Sequence, residues 1–100
     1  QTIHLAYLGN FVFDAIFDMR LTSKQLAKEA QRAENDEKKE RMKVKVAIEK
    51  GVMEAAKIHA ENAIRKKHES LNYLKLSSKM DAVGSKLQTM NKTKEMTANF

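Results

Sequence analysis

An all-α chain folded as a long antiparallel helical hairpin, elongated in form, is the fold class this sequence predicts. Three observations predict it. The 100 residues include no proline, and abundant Ala, Lys, Glu, Leu and Met favour helix by propensity. Gly51 is the only glycine between Asn10 and Gly84, and long helical patterns flank it on both sides. The chain is 42% apolar yet 32% charged, with 6% aromatic residues, which suits thin packing between long helices.

This length allows one domain at most. Glycine adopts the positive backbone angles found at helix C-termini, and the neighbouring Lys50 complements the terminal carbonyls. Gly51 therefore reads as the hairpin tip. The alternative is one continuous helix that tolerates a glycine at a cost of about 1 kcal/mol.

The formal charge of +6 and a pI near 9.6 favour acidic partners: lipid headgroups, nucleic acid or acidic protein. No cysteine is present, so neither disulfide nor thiolate chemistry is available, which suits the cytosol.

Taken in order, residues 1–13 form an apolar leader. The stretch QTIHLAYLGNFVFDAIF is interrupted by His4, Gly9, Asn10 and Asp14, too short and too broken for the roughly 20 apolar residues of a membrane span. It lacks the basic start and small-residue cleavage site of a signal peptide.

Residues 14–50 read as a basic first helix. At about 100° per residue, Ala15, Ile16, Met19, Leu26, Ala30, Ala33, Val44 and Ile48 fall on one stripe. Roughly opposite lie Lys24, Lys28, Arg32, Lys39, Lys43 and Lys50, with Arg20 at the stripe's edge. A charge run ordinarily marks only a solvated face. Segregation of the cations into their own stripe favours binding instead, because mixed charges would suffice for solubility. The middle of this helix, ENDEKKERMK, is so polar that it needs a partner along the apolar stripe.

Residues 51–90 supply that partner as a second helix. Met53, Ala56, Ala60, Ala63, Ile64, Leu71 and Leu74 share one face, with alanines small enough for close approach. Tyr73, Leu76, Met80, Val83, Leu87 and Met90 point in a different direction around the helix and resemble a coiled-coil seam. Either both sets pack within one bent hairpin, or the second packs on another helix or a neighbouring subunit. We take Tyr73, Leu76, Met80, Val83 and Leu87 as a candidate assembly surface. Residues 91–100 lose the pattern and read as a fraying tail.

Catalytic chemistry is not evident. His4, His59 and His68 show no metal-ligand spacing, and both helical histidines read as ordinary surface residues. Gly9, Gly51 and Gly84 are isolated, so no phosphate loop exists. Ser70, Ser77 and Ser78 have no base placed by a recognisable motif. Asp36 and Glu40 are one turn apart and need only neighbouring lysines. We expect no enzyme, no cofactor and no metal.

The run GVMEAAKIHAENAIRKKHESLNYLKLSSKMDAVGSKLQT carries a family resemblance. With FDMRLTSKQLAKEAQRAENDEKKERMKVKVAIEK before it, it resembles the ESCRT-III (Snf7-like) family, charged multivesicular body protein type 1 subgroup, over roughly residues 15 to 90. IHAENAIRKK followed by NYL and MDAV is the specific signature. Val52 departs from it, standing where the family usually has a polar residue. The first dozen residues do not match either. We expect an artefact of gene definition there, the alternative being an extra membrane-inserting segment.

The resemblance implies the N-terminal hairpin core of a filament subunit, with the C-terminal helices absent and the chain shortened before them. It implies membrane remodelling and scission in endosomal multivesicular body sorting, at a cytoplasmic, peripheral position on the endosomal membrane. The implied partners are an anionic membrane surface, like subunits, an Ist1-like partner and the Vps4-type ATPase, the last two mainly through segments outside this chain. The stripe Arg20, Lys24, Lys28, Arg32, Lys39 and Lys43 becomes the candidate membrane-binding site. Nucleic acid is not expected, since no Phe, Tyr or Trp stands between Arg20 and Lys67 to stack on bases. A basic coiled-coil module that binds nucleic acid, or a purely structural hairpin, remains the alternative.

Overall fold

The computed structural model describes residues 2–98, without the side chains of Leu5 and of 94–98. It contains two α-helices, α1 over Thr2–Glu49 and α2 over Met53–Ala98, and no strand among the described residues. The protein is thus all-α and a helical hairpin. Helix α1 reaches back past Asp14 to Thr2, through the apolar leader. Nothing in that stretch stops a helix, and a lone Gly9 costs only about 1 kcal/mol. Helix α2 likewise continues through residues 91–98. Thr89 Oγ1 donates to the Ser85 carbonyl and Thr93 Oγ1 to the Thr89 carbonyl, each at 3.0 Å. These back-bonds to the preceding turn let threonines sit inside a helix rather than unravel it.

The reversal is made by Lys50, Gly51 and Val52. Gly51 has φ +76°, the only positive φ among the described residues. The Val52 N–H reaches back to the Ala47 carbonyl at 2.9 Å, and the Gly51 N–H to that of Ile48 at 3.0 Å. This nested pair is the Schellman closure, which satisfies carbonyls that α1 would otherwise leave open. Val52 then starts α2: its own carbonyl accepts the Ala56 N–H at 3.1 Å. Its side chain has no oxygen with which to cap the first free N–H groups.

Two compact units make up the hairpin, one of Leu26–Lys75 and one joining Gln1–Gln25 to Leu76–Phe100. In the first, Ala30, Ala33 and Ala47 of α1 and Ala56, Ala63 and Ser70 of α2 are buried. The half-buried Leu26, Glu40 and Val44, with His59, Lys66 and Tyr73, occupy the alternate positions. In the second, Ser23, Ser77 and Gly84 are buried, and Val12, Ile16, Met19, Met80 and Leu87 are half-buried. Within each unit the covered positions alternate by three and four, the heptad spacing of a two-helix seam. Small residues hold its centre, which permits close approach of the backbones.

That spacing redistributes the apolar face expected for α2. Ala56 and Ala63 are covered, but Met53, Ile64, Leu71 and Leu74 are 66%, 58%, 46% and 47% exposed. On α1, Ile48 is likewise exposed, and Ala47 takes the seam. A stripe counted at 100° per residue drifts about 20° per heptad from a true seven-residue seam. Over several turns the count carries large residues onto the flanks. Two helices bury only one narrow seam each, so most bulky side chains stay outside.

Candidate membrane-binding and assembly surfaces

In the unit of Gln1–Gln25 and Leu76–Phe100, Arg20 is committed to α2. Its Nη1 lies 3.3 Å from Asp81 Oδ1, and its Nη2 donates to Ser85 Oγ at 3.2 Å and Gln88 Oε1 at 3.3 Å. These acceptors sit on one side of α2 at helical spacing, so a single planar fork spans two turns. The stem of Arg20 passes over Gly84, where an added Cβ would meet ordinary contacts of 3.7–3.9 Å. One turn onward, Ser77 Oγ donates to the Ser23 carbonyl at 2.9 Å and Ser23 Oγ to that of Ser77 at 3.1 Å. The two hydroxyls satisfy each other's backbone across the seam, and no buried side-chain N or O among the described residues lacks a partner.

Lys24, the other member of the basic stripe in this unit, is exposed. The candidate assembly residues divide by position. Met80 and Leu87 are half-buried on the seam, while Leu76 and Val83, seven apart, are 43% and 44% exposed on its flank.

In the unit of Leu26–Lys75, Lys28, Arg32, Lys39 and Lys43 are all exposed. Arg32 pairs with Glu29 at 2.9 Å and Lys43 with Glu40 at 3.5 Å, both within α1. Lys28 and Lys39 form no ion pair among the described residues. Tyr73 of the assembly set is half-buried here.

The polar middle of α1 finds its partners in this unit. His59 Nδ1 lies 2.7 Å from Glu40 Oε2 across the seam. That hydrogen bond, aided by Lys43 and Asn62, holds the Glu40 carboxyl below the usual carboxylate range against the opposing effect of burial. Lys66 reaches Glu69 at 3.1 Å and Asp36 at 3.8 Å; the Glu69 bond raises its ammonium above the usual lysine value. His59, read from sequence as a surface histidine, is a seam residue, whereas His68 is exposed. Glu40 and His59, and Arg20 and Asp81, lie at similar distances on either side of Gly51. Counting outward from the tip is the signal that would have paired them.

Near the tip, Met42, Val46, Ala47, Val52, Ala55 and His59 line an open apolar groove edged by Lys43 and Lys50. No group of three His, Asp or Glu among the described residues could hold a metal ion. No described helix is long and apolar enough to cross a membrane.

The described residues thus form a two-helix hairpin with a small-residue seam and outward lysines. No family model matches the chain, but curated relatives do. It is 50% identical to "ESCRT-related protein CHMP1B" of Arabidopsis thaliana over 86% of this chain and 44% of that protein. It is 53% identical to "ESCRT-related protein CHMP1" of Oryza sativa over 77% of the chain and 38% of the relative. With human "Charged multivesicular body protein 1b" the identity is 45%, over 70% of the chain and 35% of the relative. The chain belongs to the ESCRT-III family, in the charged multivesicular body protein 1 subgroup. It spans less than half the length of these relatives.

Proposed function

We propose that the chain acts as an ESCRT-III-type filament subunit that binds anionic membranes and contributes to membrane remodelling and scission in endosomal multivesicular body sorting. It does so as a peripheral protein on the cytoplasmic side of the endosome. Its partners are like subunits and, mainly through segments outside this chain, an Ist1-like protein and the Vps4-type ATPase. Kinship with the charged multivesicular body protein 1 relatives carries this reading.

Two surfaces support it. Lys28, Arg32, Lys39 and Lys43 in one unit, and Lys24 in the other, are exposed. Each cation brought near an anionic bilayer contributes about 1 kcal/mol. Arg20 belongs to the stripe by sequence, but its bonds to Asp81, Ser85 and Gln88 make it the weakest contributor. Leu76 and Val83, exposed beside the half-buried Met80 and Leu87, are the core of the proposed assembly surface; Tyr73, half-buried in the other unit, belongs to the set by sequence alone.

Lys24→Glu, Lys28→Glu and Arg32→Glu combined should abolish pelleting with phosphatidylserine vesicles while helicity stays at the parent level. None of the three is buried, so the hairpin tolerates the change. Undiminished pelleting would show that these three cations only solvate the helix. Equal affinity for RNA and for the vesicles would move the assignment to a nucleic-acid module.

A further inference from the structure

We propose that a break in seam phase at the Gly51 tip locks α1 and α2 into a hairpin within one chain and denies the seam to a second copy. The turn by itself does not do this. Lys50, Gly51 and Val52 are all exposed, and no atom lies within 4 Å of a Cβ added at Gly51, so the reversal rests mainly on its own backbone bonds. A helix can run through a single glycine, and ordinary helical bonds would replace those that close α1. A straightened chain could then pair antiparallel with another copy and re-form Glu40 with His59, and Asp36 with Lys66, between chains. Such exchange is the usual hazard of a short hinge.

The covered residues of the Leu26–Lys75 unit are spaced against that outcome. On α1, Ala30, Glu37 and Val44 recur every seven residues, as do Ala33, Glu40 and Ala47. Carried straight through the tip, the first series reaches Ile58 and Arg65 and the second Glu61 and His68, all four exposed. The α2 seam has Ala56 and Ala63, and His59 and Lys66, each two residues earlier. Two steps of about 100° set the two seams on nearly opposite sides of any helix that runs straight through.

One straight partner covers one side only. In an exchanged pair, α1 of one copy could take α2 of the other, but the remaining two seams would face away from each other. Half of the alanines and polar pairs would be left in water. Those halves could be filled only by further copies, head to tail, because the contact does not close on itself. A chain that keeps its reversal buries both seams at once. Contact between like chains is thereby left to outer residues, such as the exposed Leu76 and Val83, although the phase break is independent of that assembly reading.

Two deletions separate phase from turn in the whole chain, which has no cysteine. Removing residues 50–54 joins the helices without a turn and brings Ala56 and His59 onto the projected series. Removing residues 50–52 also abolishes the turn but leaves the seams two residues out of step. Each chain carries Ser23→Cys and Ser77→Cys, at positions whose hydroxyls lie 3.0 Å apart. In the undeleted chain, with or without Gly51→Ala, oxidation should close a disulfide within one chain, even after refolding at high concentration. The 50–54 deletion should sediment as a discrete dimer cross-linked between chains. The 50–52 deletion should give a series of sizes that grows with concentration and no dimer plateau. Equal, discrete dimers from both deletions would overturn the proposal, since phase would then decide nothing. So would a 50–54 deletion that never settles as a dimer, or an interchain disulfide in undeleted Gly51→Ala, which would place the lock in the glycine alone.

Discussion

Gly51 and Val52 show how much one backbone position decides. With φ at +76° and no atom within 4 Å of an added Cβ, Gly51→Ala meets no clash. Its penalty is purely conformational, about 1–2 kcal/mol for a left-handed residue. Val52→Thr should act oppositely. It keeps the branched shape and adds a hydroxyl able to accept a free N–H of α2, for a gain of about 1 kcal/mol. Urea midpoints that move the same way for both variants would refute this account of the turn. Glu40 contributes to the acid limb of stability. Its carboxyl is held below the ordinary value by His59, so its contribution is complete above that ordinary value of about 4.3. It disappears as pH falls through the depressed folded value. Glu40→Gln should flatten stability against pH in that acidic window and leave the neutral region parallel to the parent. The raised Lys66 works in the reverse sense: its contribution is present below the ordinary lysine value of about 10.4 and lost as pH rises through the folded one.

At the scale of the elements, the two helices are matched through small residues, and the tolerances are unequal along them. Ala63 is 7% exposed, so Ala63→Leu must push the helices apart and should cost about 1–3 kcal/mol. Gly84 is also buried, yet a Cβ there meets Arg20 and Met19 at 3.7–3.9 Å, normal contact distances. Gly84→Ala should therefore stabilise by about 1 kcal/mol through helix propensity. Thermal midpoints of the two variants should move in opposite directions. A loss of stability in Gly84→Ala would mean that Arg20 cannot keep its bonds to Asp81, Ser85 and Gln88 over a methyl group.

For the whole molecule, the net charge of +6 acts on its two proposed kinds of contact with opposite sign. Binding to phosphatidylserine vesicles is attraction between opposite charges, which salt screens over about 10 Å at 0.1 M. Association of like molecules through Leu76 and Val83 works against mutual repulsion of basic chains. Raising the salt should lower vesicle pelleting and increase the sedimentation coefficient. Leu76→Asp with Val83→Asp should remove the part of that increase due to the assembly surface. If salt drives both readouts in the same direction, electrostatics is not what divides lipid binding from assembly.

By itself the sequence determined the class, the reversal and the family. Absence of proline and a lone glycine between helical patterns are local properties, and local properties set where helices run and turn. The run IHAENAIRKK with NYL and MDAV was enough to bring out the kinship. Tertiary structure alone decided which side chains face which. The seam repeats every seven residues while an isolated helix repeats near 3.6 per turn; Leu71 and Ile64 therefore lie outside, and Ser70 and Ser77 inside. Pairing was equally illegible. Arg20 looked like one more cation of the stripe until Asp81, Ser85 and Gln88 came opposite it, and His59 looked like surface until Glu40 did. Partners so far apart in the chain meet only when the hairpin's register is fixed, and that register comes from the Gly51 turn and the small residues acting together.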